Sequence, residues 1–157
     1  MAAGFDVDLT GKTAVITGAT TGLGKHIAHG LAGLGAQVVI GARDAQRGAA
    51  AQAELCARTA GAAVQVLPLD VADQASIRAF AATLADRYAA VDLLVNNAGA
   101  AFYQRRLSPD GIELTLATNV LGPHLLTGLL LDRLQAAGRV RKATSASTIC
   151  RRMPGRL

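Results

Sequence analysis

Short unbroken apolar runs alternate along the chain with longer stretches whose apolar residues recur every three or four positions. The first run, Lys12–Thr17, predicts a buried strand. Leu23, Ile27, Leu31 and Leu34 then mark one face of a helix, which Gly35 stops. Gln37–Ala42 predicts a second strand, followed by an Ala-rich helix from about Ala45 to Thr59 that ends at Gly61. Val64–Leu69 is a third strand. Asp73 can cap the next helix, whose Ile77, Phe80, Leu84 and Tyr88 form one apolar stripe. Asp92–Val95 is a fourth strand. A polar loop, Phe102 to Leu107, leads to Ser108-Pro109, which predicts the start of a helix reaching about Ala136, with Gly138 at its end. Strand and helix in strict alternation predict an α/β domain, a parallel sheet covered by helices on both faces.

The pattern then breaks. A fifth strand is due after Gly138-Arg139-Val140, yet Arg141 to Ser147 is a poor buried strand, and Arg151 to Leu157 has no periodicity. The division expected is a domain over residues 1–140 and a basic, disordered tail over 141–157. Charge follows the same division. The formal net charge is +5, from 16 Lys and Arg against 11 Asp and Glu. Six of those cations lie at Arg139 or beyond, where no acid occurs, so residues 1–138 carry 10 against 11 and are nearly neutral. A nucleic-acid partner would have to use a tail without aromatic residues for stacking, and none is expected.

Composition adds exclusions. Apolar residues make up 51% of the 157 and aromatics 3%, so the core is expected to be Ala, Val, Leu and Ile. No run approaches the roughly 18 apolar residues of a membrane span, and the first 11 residues do not read as a signal peptide. Two cysteines, Cys56 and Cys150, make no disulfide framework and fit a reducing, cytoplasmic location. His26, His29 and His124 form no metal-ligand cluster.

The stretch with most chemical content joins the first strand to its helix: Thr17-Gly18-Ala19-Thr20-Thr21-Gly22-Leu23-Gly24. Gly18 can make the turn, Gly22 can admit a pyrophosphate to the main chain, and Gly24 can let the helix lie close to the strand. The first N–H groups of the helix, with its dipole, would then face the phosphate. By itself the stretch is equally a plain tight connection. An NAD-binding site places a carboxylate at the end of the second strand, for the ribose 2′-hydroxyl. Here that position is Ala42, followed by Arg43. A guanidinium binds a 2′-phosphate where a carboxylate would repel it, which favours NADP over NAD; the plainer reading is a solvated loop residue beside Asp44. Asp70, ending the third strand, could accept from an adenine amino group or simply form a turn. Asn96-Asn97-Ala98-Gly99 at the end of the fourth strand could let a ribose lie against the backbone, or be an ordinary turn. Asn119 stands mid-helix four residues before Pro123, which predicts a kink and a carbonyl at residue 119 free to hold a water, or a kink without function. Leu126, Leu130 and Leu134 are core or interface packing.

Taken together, Thr17-Gly18-x-x-x-Gly22-x-Gly24, Asp70-Val71, Asn96-Asn97-Ala98-Gly99 and Asn119 resemble, in order and spacing, the short-chain dehydrogenase/reductase family. The segments Arg105 to Glu113 and Ala117 to Gly122 look like its retinol-dehydrogenase-like branch. The resemblance covers about Leu9 to Val140. It implies a Rossmann-type doubly wound parallel sheet, order 3-2-1-4-5 and incomplete on its C-terminal side. It also implies hydride transfer between NADP and a small carbonyl or alcohol substrate. The cofactor would be held by Gly18, Thr20, Thr21, Gly22, Leu23, Gly24, Arg43, Asp70, Val71, Asn97, Ala98 and Gly99. In the family a Tyr, its pKa lowered by a Lys, moves the substrate proton, a Ser orients the substrate, and the mid-helix Asn carries a water in the relay. Asn119 matches that Asn, and Ser145 matches the Ser only weakly, with Lys142 where the family has Asn. Neither Tyr88 nor Tyr103 is followed by Lys in a Tyr-x-x-x-Lys arrangement, so a truncated copy is expected. The helices after the third and fourth strands often form the family's dimer face, which makes the Leu126 stripe a candidate for self-association.

Overall fold

The computed structural model describes residues 7–137 and the backbone of 141–144. Five parallel strands form one sheet in the order β3-β2-β1-β4-β5: β1 Thr13–Thr17, β2 Gln37–Ala42, β3 Val64–Pro68, β4 Leu93–Asn96 and β5 Arg141–Thr144. In register, Val15 lies between Val39 and Leu94. Side chains alternate across the sheet. Val15, Val39 and Leu94 therefore face one core, and Ala14, Ile16, Val38 and Ile40 the other.

Helices α1 (Gly22–Gly33) and α2 (Ala45–Arg58) contribute Ala28, Ala32 and Leu55 to the second of these cores. Helix α3 (Gln74–Arg87) covers the opposite face. It does so with α5 (Gly122–Leu129) and α6 (Leu131–Ala136), which follow α4 (Leu114–Leu116) and a π-helical turn over Ala117–Leu121. Asp44 and Asp73 cap α2 and α3 with their carboxylates, and Gly35 and Gly61 follow helices with positive φ of 89° and 76°.

Four expectations change. Arg141–Thr144 does form a strand, pairing Leu93–Asn96 residue for residue, so the sheet passes the domain edge expected at 140. Main-chain hydrogen bonds to an existing strand define it, and they ask little of side-chain type. The buried stripe of α1 is Gly24, Ala28 and Ala32, because small residues let this helix lie close to the sheet; of the expected face Ile27 and Leu31 pack half-buried against the core, while Leu23 and Leu34 are exposed. The last helical stretch begins at Leu114. Ser108 and Pro109 lie instead in a loop closed by an antiparallel bridge between Leu107 and Glu113, with Gly111 at φ 74°. The Glu113 carboxylate caps α4 through Thr115 and Leu116 N–H. Finally, Leu126, Leu130 and Leu134 are fully buried against α3 and the sheet, so that stripe is core and offers nothing to a second copy. Gly138, Ser145, Cys150 and the remainder of the expected tail lie outside the described residues.

Candidate functional site

Gly18, at φ +66°, turns the chain off the end of β1, and a Cβ there would come within 2.7 Å of Ala98 Cα. A Cβ on Gly24 would strike Gly18 O and Asn97 Nδ2. These two glycines therefore serve close approach, between the β1–α1 turn and the loop after β4. That approach is sewn together by hydrogen bonds. Asn97 Nδ2 donates to Thr17 O at 3.1 Å and Gly18 O at 2.9 Å. Thr17 Oγ1 accepts from the N–H groups of Asn97 and Ala98 at 3.1 and 3.0 Å. Gly22 is different: its φ of +55° requires glycine, and nothing stands where its Cβ would be.

The helix that follows is left open. Thr21, the N-cap of α1, makes no side-chain cap bond, and the first turn holds no acid. Capped helices such as α2 and α3 spend those N–H groups on Asp carboxylates; α1 keeps them, and the positive end of its dipole, for something else.

That end borders a cleft of about 510 Å³ at the carboxyl edge of the sheet. One end of it is formed by Gly41, Ala42, Arg43 and Arg47, with Asp70 opposite. Arg43 Nη1 lies 3.8 Å from Asp70 Oδ2, with the Arg43 side chain 78% exposed. Asp70 is held in place: its N–H donates to Ser76 Oγ at 2.8 Å and its Oδ1 accepts from Ala72 N–H at 2.9 Å. The middle of the cleft passes Gly18, Thr20, Thr21, Leu23 and Gly24, and the far end is floored by Asn97, Ala98, Gly99 and Ala100, with Phe102 and Thr118 beside them. Arg106 caps the Phe102 ring at 5.5 Å.

Asn119 does not line the cleft. Its carboxamide grips Ala100, which does, accepting from Ala100 N–H at 2.9 Å and donating to Ala100 O at 2.7 Å. Just ahead of Pro123 the chain makes a π-helical turn, in which Gly122 N–H reaches Ala117 O five residues back. A Cβ on Gly122 would meet Val71 O, so this turn sits hard against the chain leaving β3.

Of the expected cofactor residues, the fold gathers all but Gly22 into the cleft lining, Val71 included; Gly22 shapes the turn beside it. Sequence reasoning missed Arg47, whose signal is a cation in the first turn of a helix. It also missed Thr17 as the staple between loops, which nothing in the spacing marks. Among the described residues no three His, Cys, Asp or Glu side chains come together as a metal site, and no helix is long and apolar enough to cross a membrane.

This arrangement is shared. A model of the short chain dehydrogenase family matches residues 12–153. The chain belongs to the short-chain dehydrogenase family. Among the relatives of this family member, retinol dehydrogenase 12 of Bos taurus is 44% identical over 142 residues, 90% of this chain and 45% of the relative. Retinol dehydrogenase 13 of Homo sapiens is 39% identical over 133 residues, 85% of this chain and 40% of the relative. The chain thus spans less than half the length of these relatives, and the retinol-dehydrogenase-like resemblance of the sequence stands. Solved short-chain dehydrogenase folds agree. A Pseudomonas aeruginosa RhlG/NADP active-site complex superimposes with a TM-score of 0.74 at 33% identity, covering 87% of this chain and 55% of that one. A metagenomic short-chain oxidoreductase in complex with NADP gives 0.76 at 33%, covering 87% and 62%.

Proposed function

We propose that this chain is the cofactor-binding portion of an NADP-dependent oxidoreductase, one that moves a hydride between the nicotinamide and a small carbonyl or alcohol substrate. The observation that carries the reading is the polarity of the cleft. It runs from two guanidiniums, Arg43 just after β2 and Arg47 in the first turn of α2, past the uncapped N-terminus of α1, to a floor of small residues after β4. In this reading Gly18 to Gly24, with Thr20 and Thr21, surround the pyrophosphate, and Arg43 takes the 2′-phosphate in place of the carboxylate that NAD sites use. Asp70 and Val71 border the adenine, and Asn97, Ala98 and Gly99 carry the ribose. The nicotinamide supplies or accepts the hydride. Asn119 holds Ala100 and the loop behind the reacting end, and Ser145 orients the substrate. Two relatives are named as retinol dehydrogenases and two solved neighbours as NADP complexes, which supports an alcohol or carbonyl as substrate and NADP as cofactor.

Tyr88 and Tyr103 both lack the Lys four residues on that would complete an acid–base pair. Cofactor binding is therefore the property proposed for these 157 residues. The test is thermal stability against increasing NADPH and NADH. A ligand that binds only the native state adds about 2.7 kcal/mol at a hundred times its Kd. A midpoint that climbs with NADPH and barely moves with NADH supports the reading. One indifferent to both sinks it, and equal shifts would remove the NADP preference.

A further inference from the structure

Helix α2 opens with its cap already filled, since Asp44 Oδ1 takes the N–H of Arg47 at 2.9 Å. That leaves the Arg47 guanidinium in the first helical turn, where the dipole disfavours a cation. Among the described residues no carboxylate pairs with it: the ion pairs present are those of Lys12, Lys25, Arg43 and Arg58. Yet Arg47 lines the same end of the cleft as Arg43. Arg43 has a partner, but a loose one, at 3.8 Å from Asp70 Oδ2 and largely in solvent, where such a pair contributes little. Asp70 Oδ1 accepts from Ala72 N–H, and Oδ2 is the oxygen facing Arg43. An incoming donor to the more open oxygen would therefore approach the one that Arg43 attends.

Resting on the NADP reading of the cleft, we propose that Arg47 is a second cation for the 2′-phosphate and that the Arg43–Asp70 pair is exchanged on binding. The phosphomonoester draws Arg43 away from Asp70, the two guanidiniums close on it, and Asp70 Oδ2 is released to accept from the adenine amino group. No bond beyond hydrogen bonds and ion pairs is made or broken. The two recognitions then assist each other, and a nucleotide without the phosphate must compete with Arg43 for Asp70.

The experiment measures Kd for NADPH and NADH by equilibrium titration of the full 157-residue chain and its variants. Both arginine side chains are exposed, so melting curves serve as a control for folding. Arg47→Gln should weaken NADPH about tenfold, the loss of one charge-assisted contact, and NADH less than twofold. Arg43→Gln should weaken NADPH and tighten NADH about twofold, because Asp70 is freed; that gain should vanish in the Asp70→Asn background. Arg47→Gln acting on both nucleotides alike, or on neither, overturns the second-cation assignment. Arg43→Gln weakening NADH overturns the exchange, since that is what loss of general positive charge would do. Wild-type chain that binds neither nucleotide brings down the reading of the cleft, and this inference with it. Wild-type chain that prefers NADPH while Arg47→Gln changes nothing brings down this inference alone.

Discussion

The two faces of the sheet are filled with residues of different size. On one, α3, α5, α6 and the residue joining the last two bury Ile77, Phe80, Leu84, Leu126, Leu134 and Leu130. On the other, α1 buries only Gly24, Ala28 and Ala32, and α2 buries Gly48, Ala51 and Leu55. Bulk gives area removed from water; smallness gives proximity. The first face is built to hold the molecule together. The second brings α1 and its uncapped end down to the edge of the cleft. A site at a helix N-terminus needs that closeness more than the stabilisation larger side chains would add there.

The largest expected effect breaks the bulky face. Phe80→Ala should cost about 3–5 kcal/mol in urea unfolding, by lost burial and a residual cavity. A cost under 1 kcal/mol would mean that the face collapses readily and is not a packed core. On the small face the sensitive direction is enlargement. Gly24→Ala inserts a methyl where Asn97 Nδ2 and Gly18 O already stand. It should cost about 1–3 kcal/mol and abolish the NADPH response at temperatures where the variant is still folded. If the variant keeps that response, closeness of α1 is not what the site requires.

Capping sharpens the contrast at lower energy. Asp73→Ala, which removes the acceptor for Ala75 and Ser76 N–H, should lower stability by about 1 kcal/mol. Thr21→Ala, at a cap making no such bond, should stay within about 0.5 kcal/mol. Equal losses would erase the distinction between closed and open helix ends. The smallest effect is one of pH. Hydrogen bonds from Thr115 and then Leu116 N–H hold the Glu113 carboxyl below its ordinary value of 4.5. Its folded pKa is depressed, so its contribution is present above that ordinary value and fades as pH falls through the lower one. Glu113→Gln should therefore flatten the stability profile from about pH 5 downward and leave its slope at neutral pH unchanged.

Periodicity exposed β1 to β4 and α1 to α3 because each is a simple buried run or an amphipathic stretch between glycines. It misled where another interaction decided. Ser108-Pro109 has the residues of a helix start, but a bridge between Leu107 and Glu113 and the Glu113 cap move that start to Leu114. Arg141–Thr144 lacks strand-like side chains, and its partner β4 supplies the order through the backbone. On α1 the large residues mark the stripe only in part: Ile27 and Leu31 pack against the core, Leu23 and Leu34 are exposed, and Ala28 and Ala32 are the fully buried residues. The cleft was legible in its glycines, Arg43, Asp70 and Asn97-Ala98-Gly99. Arg47 was not, because its meaning depends on where α2 points, and the spacing of Asn119 and Pro123 speaks of a backbone carbonyl while the Asn119 side chain grips Ala100.

The seam between the β1–α1 turn and the loop after β4 has a consequence for anyone who would transplant this site. Gly18 leaves room for Ala98, Gly24 for Asn97, and Asn97 in return ties Thr17 and Gly18. The glycine turn alone, moved onto another strand and helix, would arrive without the neighbour that shapes it. Two segments some eighty positions apart must travel as one graft, and substitutions across them should be strongly non-additive.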